Sequence, residues 1–171
     1  GLPADKPPNY KKTSDCDKTN MRISICSVGR LRSGPEKQLI DDYKTRFDKL
    51  GRGLSLGPLS LLEVEDKKNA GMTAEALLLQ RSAPRDCHLT ALDEHGDQMT
   101  SPEFAKFIAT LRDQGIKDLA FIIGGSDGLD QSIKSQSRSK LSLGKMVWPH
   151  LLARAMLCEQ IYRASAILAG T

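Results

Sequence analysis

The run IIGGSDG at residues 122–128 is a first place where this sequence could do chemistry. Paired glycines let a backbone come close to a ligand or adopt positive φ. Asp127 and the free backbone N–H groups beside it could hold a polar ligand. The plainer alternative is a tight turn between a strand and a helix. The spacing is not G-x-G-x-x-G, and no Lys-Ser or Lys-Thr pair follows, which argues against a phosphate-cradling NTPase. The stretch SIKSQSRSKLSLGK (132–145) carries Lys134, Arg138, Lys140 and Lys145 and no acid. Such a basic, hydroxyl-rich run suits a phosphate backbone, so Lys134, Arg138 and Lys140 are candidate contacts to a nucleic acid. A solvated helix face is the other reading.

The third segment is GKMVWPHLLARAMLCEQIYRA (144–164), with Trp148, the only tryptophan, just before Pro149. Its polar members are His150, Arg154, Glu159 and Arg163; Leu151, Leu152, Ala155, Met156, Ile161, Tyr162 and Ala164 cover much of the rest. A helix this apolar is buried between layers or at a subunit interface. Charges on it must be paired, so Arg154, Glu159 and Arg163 are expected in an ion-pair network. A lone His150 is more often capping or hydrogen-bonded than catalytic. Cys16, Cys26, Cys87 and Cys158 form no C-x-x-C pair and no Cys/His set with zinc spacing, so no metal is expected. Cys26, Cys87 and Cys158 sit in apolar runs and read as small buried hydrophobes.

The elements that must position these segments follow from hydrophobic pattern. Residues 1–20 are polar, hold three prolines and lack periodicity. They read as a flexible extension or a cloning remnant, with Met21 as the true start. MRISICSVG (21–29) alternates and is a first strand. Pro35 opens a helix with Leu39, Ile40, Tyr43, Phe47 and Leu50 on one face. A second strand is expected near 59–66, a helix over 73–81, and a third strand over 87–93 that ends in the turn signal Glu94-His95-Gly96-Asp97. Ser101 can cap a helix whose first residue is Pro102 and whose stripe is Phe104, Phe107, Ile108 and Leu111. A fourth strand covers 118–123, a short helix 129–139 and a fifth strand 141–147. A last helix runs from Pro149 to about Leu168. Alternating strands and helices imply an α/β fold, a mostly parallel sheet flanked by helices. Ligands in such sheets bind beyond the carboxyl ends of the strands. The loops after Leu92, at 124–128 and at 144–149 are therefore the candidate site.

The 171 residues suit one compact domain, and 39% hydrophobic with 27% charged is an ordinary globular balance. The net charge of +4 permits a polyanionic partner without requiring one. No apolar run approaches the ~20 residues a membrane span needs. Neither a secretory nor an organelle address fits the first twenty residues.

Together MRISICSVGRL, ALDEHG, FIIGGSDG and LSLGKMVWPHLLARAMLCEQIYRA closely resemble the ribosomal RNA large subunit methyltransferase H family of the SPOUT superfamily. The resemblance covers essentially all of 21–171, as a single SPOUT methyltransferase domain. It implies a deep trefoil knot in the carboxyl-terminal half and S-adenosylmethionine bound in its loops. By that resemblance Leu92, Gly125, Gly144, Lys145, Met146, Val147, Trp148 and Pro149 hold the cofactor. The family is cytoplasmic and homodimeric and methylates N3 of a pseudouridine in 23S ribosomal RNA. Its substrate is the assembled ribosome, at a stem-loop bridging the two subunits. The resemblance leaves Arg154 a catalytic, substrate-facing or loop-organising role, and gives Glu159, Tyr162 and Arg163 to the knot and dimer. Two departures matter. Relatives typically end in a Tyr-His-Arg-like tail beyond Thr171; without it cofactor binding is expected to survive and turnover to fall. Gly144 stands where many relatives carry Ser. Two other readings compete: a ribosome- or RNA-binding module of the same fold with reduced or no catalysis, and a flavodoxin-like nucleotide binder.

Overall fold

The computed structural model describes residues 20–171. The expectations for the amino-terminal extension, and for Cys16, lie outside these residues, Asn20 excepted. Five parallel strands form one sheet: β1 (Met21–Val28), β2 (Leu56–Val64), β3 (His88–Gln98), β4 (Asp118–Ile123) and β5 (Ser139–Ser142). The helices between them are α1 (Pro35–Gly51), α2 (Met72–Ser82), α3 (Ser101–Asp113), α4 (Gln131–Gln136) and α5 (His150–Ala169). The spatial order is β2-β1-β4-β3-β5.

That order rules out the flavodoxin-like reading. A flavodoxin-like sheet runs 2-1-3-4-5; here β4 takes the place beside β1 and pushes β3 outward. β4 lies between two strands and under helices on both faces, which explains why all six of its residues are buried and apolar or paired. Alternation sorts the side chains. Ile23, Ile25, Leu119, Phe121 and Ile123 join α1, α3 and α5 in the larger core, with Phe47, Ile108, Leu157 and Ile161. Cys26, Ala91 and Ile122 face α2 and α4, against Ala76, Leu79 and Ile133.

The last helix, 20 residues long, spans about 30 Å. It ends where Gly170 takes a left-handed conformation (φ 78°), with its N–H on the Ile167 carbonyl and that of Thr171 on Ala166. Several boundaries differ from expectation. Thr100, not Ser101, caps α3: its Oγ1 accepts from Glu103 N at 3.2 Å. Leu39 is exposed and Phe107 only half-buried, so the buried stripes are narrower than the pattern suggested. Cys87 is likewise half-buried, while Cys26 and Cys158 are buried as expected.

Two differences shape the site. The third strand does not end at Asp93. Leu141 pairs with both Leu92 and Asp97, so residues 93–96 bulge out of β3 and the strand resumes behind them. The turn signal was real, but it turns within a strand. Gly96 is required there: a Cβ would lie 2.7 Å from the carbonyl carbon of Lys140. The fifth strand stops at Ser142 instead of Val147. Gly144 sits at φ 126°, and Ser142 Oγ accepts from Gly144 N at 3.1 Å, closing a turn. Met146 and Val147 consequently stand 74% and 83% exposed in a loop.

Candidate functional site

Three loops meet at the carboxyl end of the sheet around a cavity of about 670 Å³. The bulge of β3 contributes Leu92, Asp93 and Glu94; the turn after β4 contributes residues 124–128; the loop after β5 contributes Leu143, Gly144, Met146, Val147, Trp148 and Pro149. This is where a parallel sheet is expected to bind ligands. Ile123, Leu141 and Ala153 form the floor.

The glycine turn is built by close backbone approach. A Cβ on Gly124 would lie 2.4 Å from the Gly128 carbonyl oxygen and 2.8 Å from Leu129 N. No side chain fits there. Gly128 takes φ 83° and donates its N–H to Gly125 O at 3.0 Å. Gly125, the residue expected to need glycine for the ligand, is less constrained. It has no positive φ, and a Cβ would meet only the Glu75 carboxylate, 3.1 Å away. The turn then hands over to α4 through Asp130, whose side chain accepts from Ser132 N at 2.9 Å. The Ser132 hydrogen bonds hold the Asp130 carboxyl below its ordinary range.

The loop after β5 covers the cavity with apolar groups. Trp148 is 38% exposed, beside the far more exposed Met146 and Val147. Pro149 precedes the first turn of α5, and His150 also lines the cavity, a position that composition did not foretell. Of the expected cofactor residues, Leu92, Gly125, Gly144, Met146, Val147, Trp148 and Pro149 border the space, and Lys145 is exposed in the same loop. A smaller cavity of about 410 Å³ lies across the same loop, between Met99, Phe104, Met156 and Gln160, and shares Leu141, Leu143 and Gly144.

The basic run divides. Arg138 and Lys140 are exposed on the outer edge of the sheet and make no ion pair among the described residues. Lys134, also a candidate RNA contact, lines the cavity, with Nζ 3.8 Å from the Asp93 carboxylate. Asp93 was missed; the run ALDEHG marked a turn but gave no sign that its acid would be buried.

Of the roles expected for Arg154, its contacts match the loop-organising one. It is 1% exposed and does not line the cavity. Its guanidinium donates to Val28 O at 3.0 Å, Gly29 O at 3.3 Å and Glu63 Oε2 at 3.1 Å. Glu63 in turn accepts from Leu31 N. Burial pushes the guanidinium's pKa down, against Glu63, which raises it. The side chain therefore ties the ends of β1 and β2 to α5. That is loop organisation, with the guanidinium enclosed and away from the cavity lining. The single expected network is two separate pairs: Arg163 binds Glu159 at 2.6 Å on the helix surface, apart from Arg154 and Glu63.

Among the described residues, no three His, Cys, Asp or Glu side chains gather as for a metal ion, and no helix is long and apolar enough to cross a membrane. Residues 21–171 match the family model described as "Predicted SPOUT methyltransferase". Proteins named ribosomal RNA large subunit methyltransferase H from Dinoroseobacter shibae and Ruegeria pomeroyi are each 58% identical over 151 residues, 88% of this chain and 97% of theirs. A probable methylase family protein from Haemophilus influenzae Rd KW20 aligns at TM-score 0.49 and 14% identity, over 90% of this chain and 70% of that one.

Proposed function

This chain belongs to the SPOUT methyltransferase family, among the ribosomal RNA large subunit methyltransferase H proteins, and from that premise we propose that it methylates N3 of a pseudouridine in 23S ribosomal RNA on the assembled ribosome, using S-adenosylmethionine. The observation that carries the reading is the convergence of three loops on one cavity at the carboxyl end of the sheet.

The residues present fit that methyl donor. Leu92, Leu143, Met146 and Trp148 offer apolar walls, and the glycine turn offers backbone groups to an adenine edge. Lys145 stands between Gly144 and Met146, which border the pocket, and would contribute backbone there. S-adenosylmethionine, when bound, supplies an electrophilic methyl carbon on sulfur. The chain's task is to align that carbon with the ring nitrogen and to keep the pair apart from bulk water. Positioning alone supplies much of the acceleration for such a transfer. Transfer would join the ring nitrogen to that carbon with S-adenosylhomocysteine as the leaving group and the imide proton released to water, and the three loops would hold the reacting atoms in line. Arg138 and Lys140 are suited to phosphates of the stem-loop, whose base can be presented unstacked.

The reading includes the family's trefoil knot. The pairing of β5 with β3 on both sides of the bulge, where Ser142 Oγ donates to Glu94 O at 3.1 Å, fits it. It also includes a homodimer in the cytoplasm, where ribosomes are. Exposed Leu39, Met146, Val147 and Ile167 give apolar surface for a second copy. The test begins with isothermal titration of S-adenosylmethionine into the purified chain, followed by mass spectrometry of 23S RNA from treated ribosomes that lack the modification. Saturable binding with one added methyl on the pseudouridine is the expected result. Binding without transfer would favour an RNA-binding module, and no binding by a folded chain would end the methyl-donor reading.

A further inference from the structure

Three carboxylates border the large cavity, and one of them is unlike the others. Glu94 and Asp127 are exposed, whereas the Asp93 side chain is 8% exposed. A buried carboxylate is costly unless donors surround it. Asp93 has few. Oδ1 accepts from His95 N at 3.1 Å. Oδ2 lies 3.8 Å from Lys134 Nζ, too far for a hydrogen bond. No other group among the described residues donates to it. Lys134 is drawn in as well: its side chain is 27% exposed, and it borders the cavity from α4.

One end of the cavity thus carries a negative and a positive pole about 4 Å apart, each short of a partner. The other polar side chains on the cavity, Glu94, Ser126, Asp127 and His150, are more exposed to solvent than Asp93, and the rest of the lining is apolar or backbone. A ligand that completes this end bears a cation and an anion side by side, as an α-amino acid does on one carbon. We propose that Asp93 and Lys134 hold the amino-acid end of the methyl donor. Asp93 accepts from the α-ammonium and Lys134 donates to the α-carboxylate. Charge-assisted hydrogen bonds in a partly dry site are the strong kind. The adenosyl part then lies along Leu92, Met146 and Trp148. The proposal rests on the methyl-donor reading above, and it removes Lys134 from the RNA-facing set.

The test compares two ligands by isothermal titration into the full chain. S-adenosylhomocysteine carries the amino-acid group; 5′-methylthioadenosine keeps the adenosyl and sulfur but lacks it. Wild-type chain is expected to bind S-adenosylhomocysteine more tightly. Asp93→Asn and Lys134→Met should each weaken S-adenosylhomocysteine by about ten- to a hundredfold. Each should leave 5′-methylthioadenosine within about threefold. Thermal melting checks folding, and Lys134→Met, at a partly exposed position, keeps the test open where Asp93→Asn fails to fold. Equal losses for both ligands would assign Asp93 to the ribose or to loop structure and overturn the proposal. No loss for either ligand, or no wild-type preference for S-adenosylhomocysteine, would also overturn it. Wild-type chain that binds neither would remove the methyl-donor reading itself.

Discussion

Replacing Arg154 by Met separates a structural arginine from a catalytic one. The substitution keeps a long apolar stem in the core and removes three donated hydrogen bonds, to Val28 O, Gly29 O and Glu63. Breaking a buried ion pair from one side costs about 3–5 kcal/mol, because the other charge stays behind. Glu63 is 26% exposed and keeps the Leu31 N–H, so water can recover part of that loss. The lower end, about 3 kcal/mol, is therefore expected. For a domain of this size each kcal/mol lowers Tm by about 2–4 °C, which gives a fall of about 6–12 °C. Removing Glu63 as well, in Arg154→Met with Glu63→Gln, should restore part of it, since the stranded carboxylate is gone. Scanning calorimetry reads the stability, and titration with S-adenosylmethionine below the transition should find affinity within about threefold of wild type. An Arg154→Met chain that melts with the wild type yet fails to methylate ribosomes would refute the reasoning and return Arg154 to the substrate.

The glycine turn makes a graded prediction. Gly124→Ala drives a methyl into the backbone of Gly128, and overpacking of this kind costs about 1–3 kcal/mol; it should weaken cofactor binding and lower Tm more than Gly125→Ala, which meets only the mobile end of Glu75. Equal effects in calorimetry and titration would mean the turn is built differently. His88 makes a pH prediction. Burial first, and Arg138 second, lower its pKa, while Nε2 sits 2.8 Å from Ser139 Oγ. The folded chain resists a proton that the unfolded chain accepts near pH ~6.5, so stability holds above that pH and falls as pH drops below it. Tm measured from pH 7 to 5 should fall more steeply for wild type than for His88→Gln; parallel curves would clear His88 of any part. The buried thiols of Cys26 and Cys158 are pushed up to about 11 and about 12 by desolvation. In a Cys16→Ser chain, Ellman's reagent under native conditions should therefore find at most the half-buried Cys87. Rapid titration of two or more thiols would show that the core opens.

Much of the architecture was legible because its signals are local. Alternation in MRISICSV and the unbroken apolar run of β4 each report burial directly, and β4 matches its expected bounds residue for residue. Pro35 and the Thr100–Pro102 start mark helix entrances by backbone chemistry that does not depend on the rest of the fold. The order of the strands was not legible. Nothing in a strand's composition says whether β3 or β4 will lie against β1, because both are apolar enough for the middle of the sheet. Nor could the β5 boundary be read. Leu143, Met146 and Val147 look like a strand, but a strand needs a neighbour for its backbone, and Gly144 turns the chain away from β3 after Ser142.

The site divides along the same line. Residues that meet the cavity through loop backbone and apolar surface, such as Leu92, Gly144 and Trp148, belong to segments the sequence marks by composition. Charged residues behave otherwise, since their role is set by what they face. Arg154 stands in the same apolar helix as Arg163, yet one is sealed beneath Val28 and Gly29 while the other pairs with Glu159 in water. Lys134 and Lys140 lie six residues apart in one basic run, yet one turns into the cavity toward Asp93 and the other stays outside. The helix from Gln131 to Gln136 makes that division, because Ile133 must be buried against the sheet and its neighbour Lys134 is carried round toward the cavity. A basic run read as one patch is thus two surfaces, with Lys134 on the cavity and Arg138 and Lys140 exposed at the edge of the sheet.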